Sequence, residues 1–239
     1  MIYSLVVFVL VQLALLLRYI VKDEFDTSDF ALSFAFLALP ILIYILGKFF
    51  AKKEESYMPE NIIHWSFYTQ QKAFKNQKPI FKGQQQRGYF QRYALTKPQY
   101  FINELLGDTF YLSFKVVIDG DEYDVQSYSK KRISNQCYWH ILKNGAHIGQ
   151  ARTVVDMKNT MKLTEVIEAQ IGDVTYTTNA STVTSSISLL QNGVQIGQYG
   201  RGEQLSHLVK NIKVIQLHDD DPVQLVTLLI HAFYFKNNA

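Results

Sequence analysis

The chain has 239 residues, 48% of them apolar, with a formal net charge of +3, enough for one core-forming domain plus appendages. Its single cysteine, Cys137, excludes an intrachain disulfide framework, and one Cys with six scattered His supplies no zinc or iron–sulfur spacing, so no metal or cofactor is expected. A lone thiol also fits a reducing compartment.

Residues 2–21 and 30–51 are each long and apolar enough to span a bilayer. Only eight residues, 22–29, connect them, so the two predicted helices form an antiparallel hairpin, with Pro40 a candidate kink in the second. A cleaved signal peptide is the competing reading of the first span, but no basic n-region or small-residue cleavage site is present and a second span follows at once. Arg18, near a helix end, can snorkel to the interface. Lys48, Lys52 and Lys53 after the second span outnumber Arg18 and Lys22 around the connection, which favours a two-pass protein with both termini cytoplasmic.

Between residues 57 and 100 the composition turns basic and aromatic. Lys72, Lys75, Lys78, Lys82, Arg87 and Arg92, interleaved with Trp65, Phe67, Phe74, Phe81 and Tyr89, are the candidate contacts to anionic lipid headgroups, because each Lys or Arg near such a surface contributes about 1 kcal/mol. A solvated linker and first strand is the plainer reading of the same residues. Nucleic acid could use them too, but a bilayer so close in the chain is the nearer polyanion, and no nucleic-acid partner is expected.

From about residue 100 the apolar period becomes two. Phe110, Leu112, Phe114, Val116 and Ile118 alternate up to Asp119-Gly120, a hairpin dipeptide, and Tyr123 and Val125 continue beyond it. Trp139 and Ile141 lead to Asn144-Gly145, Ile167, Ala169 and Ile171 to Gly172-Asp173, Ile187 and Leu189 to Asn192-Gly193, and Ile212 to Leu217 close the series. Turn signals at such regular spacing predict an antiparallel barrel or sandwich. The segment around Asn144-Gly145-Ala-His-Ile148-Gly149-Gln150 recurs as Asn192-Gly193-Val-Gln-Ile196-Gly197-Gln198. Asn-Gly supplies the two positive φ angles of a type I′ turn, and Ile-Gly predicts a bulge or a close backbone approach.

Residues 219–235 read Asp-Asp-Asp-Pro and then a nearly all-apolar run. Pro222 suits the first helical position, Asp221 can cap, and Gln224 has capping-box spacing. Gln224, Thr227 and His231 share one polar stripe; every other face is apolar. Such a helix is too short to cross a bilayer, so the strands are expected to enclose it, with the stripe satisfied by barrel side chains or lining a ligand-holding lumen.

Repeated Asn-Gly-x-x-Ile-Gly turns at Asn144 to Gly149 and Asn192 to Gly197, followed by an acidic run and an apolar helix over residues 219–235, resemble the Tubby C-terminal-like superfamily: Tubby-like proteins, phospholipid scramblases and plant LURP-one-related proteins. The resemblance implies a closed antiparallel barrel of about twelve strands around a central helix. It also implies binding of phosphoinositides or other anionic lipids more than catalysis. Two spans ahead of the domain depart from the relatives' arrangement.

No Ser- or Cys-based nucleophile motif occurs, the histidines are scattered, and Glu165 and Glu168 differ in strand parity, so an enzyme is not expected. The expected plan is a transmembrane hairpin over residues 1–53, a basic aromatic juxtamembrane linker over 54–79 and a Tubby-like barrel over 80–239. The expected role is a membrane-anchored, non-catalytic domain that engages anionic headgroups or a protein partner. A scramblase-like, lipid-moving protein is the alternative.

Overall fold

Twelve strands run up and down in chain order, each antiparallel to the next, and the first closes on the last to make a complete barrel. They are β1 (Trp65–Tyr68), β2 (Lys78–Lys82), β3 (Gln85–Tyr93), β4 (Ser113–Ile118), β5 (Asp121–Tyr128) and β6 (Tyr138–Lys143). The circuit continues through β7 (Ala146–Thr153), β8 (Thr164–Ile171), β9 (Val174–Ser181), β10 (Ile187–Gln191), β11 (Val194–Arg201) and β12 (Ile212–Leu217). Four helices precede or interrupt them, α1 (Ile2–Lys22), α2 (Thr27–Ser33), α3 (Ala35–Glu55) and α4 (Lys97–Leu106), and α5 (Pro222–Asn238) ends the chain. This computed structural model describes residues 2–23, 27–69, 76–106, 111–128, 136–154, 164–181, 186–201 and 212–238.

A twelve-stranded barrel is wide enough to need filling, and α5 fills it. Leu225, Val226, Leu228, Leu229 and Ile230 are wholly buried, and Phe233 meets Phe67, Phe90 and Phe114 at ring separations of 6.4, 5.0 and 5.0 Å. The inward residues expected from the two-residue period, among them Phe114, Val116, Ile118, Trp139, Ile141, Ile167 and Leu189, line this core. Asp221 caps α5 as expected, its Oδ1 accepting from the Val223 N–H at 2.9 Å.

The repeat has three copies. In β2–β3, β6–β7 and β10–β11 the register slips by one residue, leaving Arg87, Ile148 and Ile196 as bulges immediately before Gly88, Gly149 and Gly197. In each copy the bulged residue's carbonyl accepts from a backbone N–H just past the next even strand: Asp119 at 3.0 Å, Gly172 at 3.1 Å and His218 at 2.9 Å. The barrel is therefore three similar four-strand units. The glycine is required because the neighbouring strand passes where a side chain would stand. A Cβ on Gly88 would lie 1.8 Å from the Val117 carbonyl oxygen, and one on Gly149 would lie 2.3 Å from that of Gln170.

Ahead of the barrel, α1 runs antiparallel to α2 and α3. Arg18 pairs with Asp29 at 3.2 Å, Gln12 Nε2 donates to Ser33 Oγ at 2.5 Å, and Phe8 meets Phe34 at 5.7 Å. Two segments, Ser4–Lys22 and Thr27–Glu55, have mean hydropathies of 2.4 and 2.3 and are long and apolar enough to cross a membrane. The second is interrupted at Phe34, where the Phe34 N–H bonds the Ala31 carbonyl three residues back, and it continues as helix through Pro40. The break therefore precedes the expected proline kink.

The barrel begins earlier than residue 80. Trp65–Tyr68 is its first strand, pairing with β12 from Trp65↔Ile215 to Tyr68↔Ile212, and β2 starts at Lys78, so both begin within the expected linker of residues 54–79. Tyr57 and Ile62 pack outside the wall with Phe81 and Ile212, which buries both faces of β2.

Candidate membrane-facing site

The barrel has two unlike ends. Tight two-residue turns and the start of α5 close one end. The longer connections, α4 and the C-terminal end of α3 gather at the other.

At the tight-turn end the basic side chains are paired. Trp65 Nε1 donates to Asp220 Oδ1 at 3.2 Å, Lys82 donates to the same oxygen, and its ammonium stands 5.6 Å over the Trp65 ring. Arg87 holds both oxygens of Asp119 at 2.5 Å. Lys82 keeps the Asp220 carboxyl below its usual range, and Arg87 does the same for Asp119. Asp119 at the turn and Asp220 ahead of the helix therefore serve as partners for bases of the wall. Lys82 and Arg87 lie at the end far from the hairpin.

At the hairpin end, α3 is fixed to the wall through a buried pair. Lys78 Nζ lies 3.0 and 3.2 Å from the two oxygens of Glu54 and donates to Thr69 Oγ1 at 3.3 Å, with both charged side chains at most 3% exposed. Burial lowers the Lys78 pKa, Glu54 opposes the shift, and Arg92, itself buried, adds to it. Lys78 and Arg92 are thus interior groups. Lys72 and Lys75 lie outside the described residues. Exposed bases near this end among the described residues include Lys48, Lys52, Lys53 and Lys97.

The sequence reading missed α4. Its signal was present: Thr96 Oγ1 accepts from the Gln99 N–H at 3.4 Å, while Gln99 Oε1 reaches back to the Leu95 N–H at 3.1 Å, a variant of the capping box. Asn103 pins the helix to the barrel by two bonds with the Tyr111 backbone, at 3.0 and 3.2 Å. Helix α4 also touches α1, and Leu95, Tyr100 and Phe101 stay 39, 39 and 45% exposed.

Comparison with protein-family models, with curated proteins and with solved structures finds no match.

The polar stripe of α5 is wholly interior. Thr227 Oγ1 donates to its own helix at the Val223 carbonyl, 2.8 Å away. Thr178 Oγ1 donates to the Ile167 carbonyl at 3.3 Å, so it accepts the proton on His231 Nδ1, 2.7 Å away. Burial holds the His231 imidazole down to about 3, hence neutral. Gln224 Oε1 is buried with no hydrogen-bond partner among the described residues, so the reciprocal half of the expected capping box is not made. On the outer wall His140 and His147 approach to 3.2 Å and Tyr128 stacks on His140 at 3.9 Å. No cluster of three metal-ligating side chains occurs among the described residues. Cys137 packs against the core, and burial pushes its thiol up.

Proposed function

We propose that this is a non-catalytic, membrane-anchored domain in which the α1–α3 hairpin holds a Tubby-like barrel to the cytoplasmic face of a bilayer, long-loop end inward, to engage anionic headgroups. The observation that carries this is the buried Glu54–Lys78 clamp, which joins the end of an apolar span directly to the barrel wall with no flexible linker between.

Charge supports the same orientation. Segments 69–77, 94–112, 129–137, 154–163, 182–186 and 202–211 connect strands at the hairpin end. By sequence they carry Lys72, Lys75, Lys97, Lys130, Lys131, Arg132, Lys158, Lys162 and Lys210 against Glu104, Asp108, Asp156 and Glu203. The opposite turns and the α5 cap carry Asp119, Asp173, Asp219, Asp220 and Asp221 and no base. A net positive charge in the sequence that joins these strands favours anionic lipid, at about 1 kcal/mol per base near the surface and less at high salt. A lipid-moving role has less support, because Gln12 and Ser33, and Arg18 and Asp29, bond one another rather than lining a path.

Residues 48–239 should sediment with phosphatidylcholine vesicles containing phosphatidylserine and be released by salt. Equal binding to phosphatidylcholine alone would end the headgroup reading and leave a protein partner.

A further inference from the structure

We infer that α4 is an interfacial helix, lying in the plane of the bilayer surface beside α1 with Leu95, Tyr100 and Phe101 inserted at headgroup depth. The occupant of this face is lipid. The inference rests on the anchoring proposed above and adds a second, independent contact that fixes how the barrel stands on the membrane.

Three observations lead to it. First, α4 touches α1, so its outward face is continuous with the exposed apolar surface of the hairpin. Second, the two Asn103–Tyr111 bonds tie α4 to the segment leading into β4, and Phe101, two residues from Asn103 and so about 200° round the helix, faces away from that tie. Third, exposed large apolar side chains are scarce on the described part of the barrel domain. Beyond residue 55 they are Met58, Ile63, Leu95, Tyr100, Phe101 and Val194, and three of these belong to α4 and its leading residue. A short helix with an exposed aromatic pair, Tyr100 and Phe101, and an exposed Lys97 at its start matches an element buried about 5–10 Å into the headgroup boundary. A tyrosine there can keep its hydroxyl in water and its ring in the interface.

The test uses the full chain, with Cys137→Ser as background, reconstituted into phosphatidylcholine–phosphatidylserine vesicles. Spin labels go on Phe101→Cys, on Leu42→Cys in the hairpin and on Val194→Cys at the tight-turn end. Collisions with oxygen report lipid, and collisions with a soluble nickel chelate report water. Expected is an oxygen-to-nickel ratio several-fold higher at 101 than at 194, approaching that at 42. A lipid signature at 42 with a watery 101 overturns the inference and leaves the anchoring intact. A 101 label shielded from both agents means that protein covers α4, and also overturns it. Water at 42 removes the anchoring itself. Repeating the comparison with Tyr100→Cys guards against a local effect of the Phe101 substitution.

Discussion

Glu54 and Lys78 join the end of α3 to the barrel wall through a single buried pair. Neither charge has water to solvate it, so each depends on the other, and Arg92 nearby raises the cost of removing the carboxylate. Glu54→Gln should therefore destabilise the protein by about 3–5 kcal/mol, whereas Glu54→Leu with Lys78→Met should recover most of that loss. Denaturant unfolding in detergent measures both. His231 gives a different kind of prediction. Its folded pKa of about 3 lies below the ordinary 6.5, so between those values the unfolded chain binds a proton that the fold refuses. Stability contributed by this site is complete above about pH 6.5 and falls as the pH drops toward 3, by about 4–5 kcal/mol in all at about 1.4 kcal/mol per pH unit. In His231→Leu this acid-sensitive slope should vanish even though stability at neutral pH drops, and unfolding midpoints from pH 7 to 4 separate the two effects. A wild-type slope unchanged in the variant would assign the acid sensitivity elsewhere.

At the scale of elements, the three bulge glycines are not equivalent, and the difference predicts an order. A Cβ at Gly88 or Gly149 meets neighbouring backbone, whereas at Gly197 the first atom met is Leu217 Cδ2, at 2.8 Å, the end of a flexible side chain. Gly88→Ala and Gly149→Ala should each cost about 3 kcal/mol or more and Gly197→Ala about 1, the range of overpacked sites. Gly200→Ala, with nothing within 4 Å, is the control that should change little. Thermal unfolding of the four variants ranks them. The sequence announced two of these bulges because Asn144-Gly145 and Asn192-Gly193 are strong turn signals. The third hairpin turns on Gly83 alone, φ +59°, and so passed unnoticed. Strand β1 was hidden for a related reason: Tyr57 and Ile62 cover the outer wall, so neighbouring strands lose the apolar–polar alternation that marks a half-exposed sheet. The same cover misplaced the site. Lys78 and Arg92 looked like surface bases by composition, and only the fold shows one clamped to Glu54 and the other buried. The buried stripe of Gln224, Thr227 and His231, by contrast, followed from helical spacing alone.

For the molecule as a whole, the two apolar parts of the chain, hairpin and terminal helix, should fail differently when removed. The hairpin is exposed along its length, and each of its apolar windows is only 6% buried in the protein, so it contributes little to the barrel's own core. Helix α5 is the reverse. Leu225, Val226, Leu228, Leu229, Ile230 and Phe233 leave water almost completely. At about 1.5–3 kcal/mol per side chain these six account for about 9–18 kcal/mol, comparable with the entire stability of a typical domain, about 5–15 kcal/mol. A chain starting at residue 48 keeps Glu54 and its partner and should retain its β-sheet circular dichroism and resist limited proteolysis. A chain ending at His218 would have to close twelve strands around an empty apolar lumen, leaving Trp139, Phe67, Phe90 and Phe114 without the ring partners that α5 supplies. It should not fold. Adding residues 219–239 back as a separate peptide should restore protease resistance only if the strands can assemble around it. A folded, protease-resistant chain without α5 would mean that the barrel closes by strand pairing alone and that the helix is its occupant rather than its core.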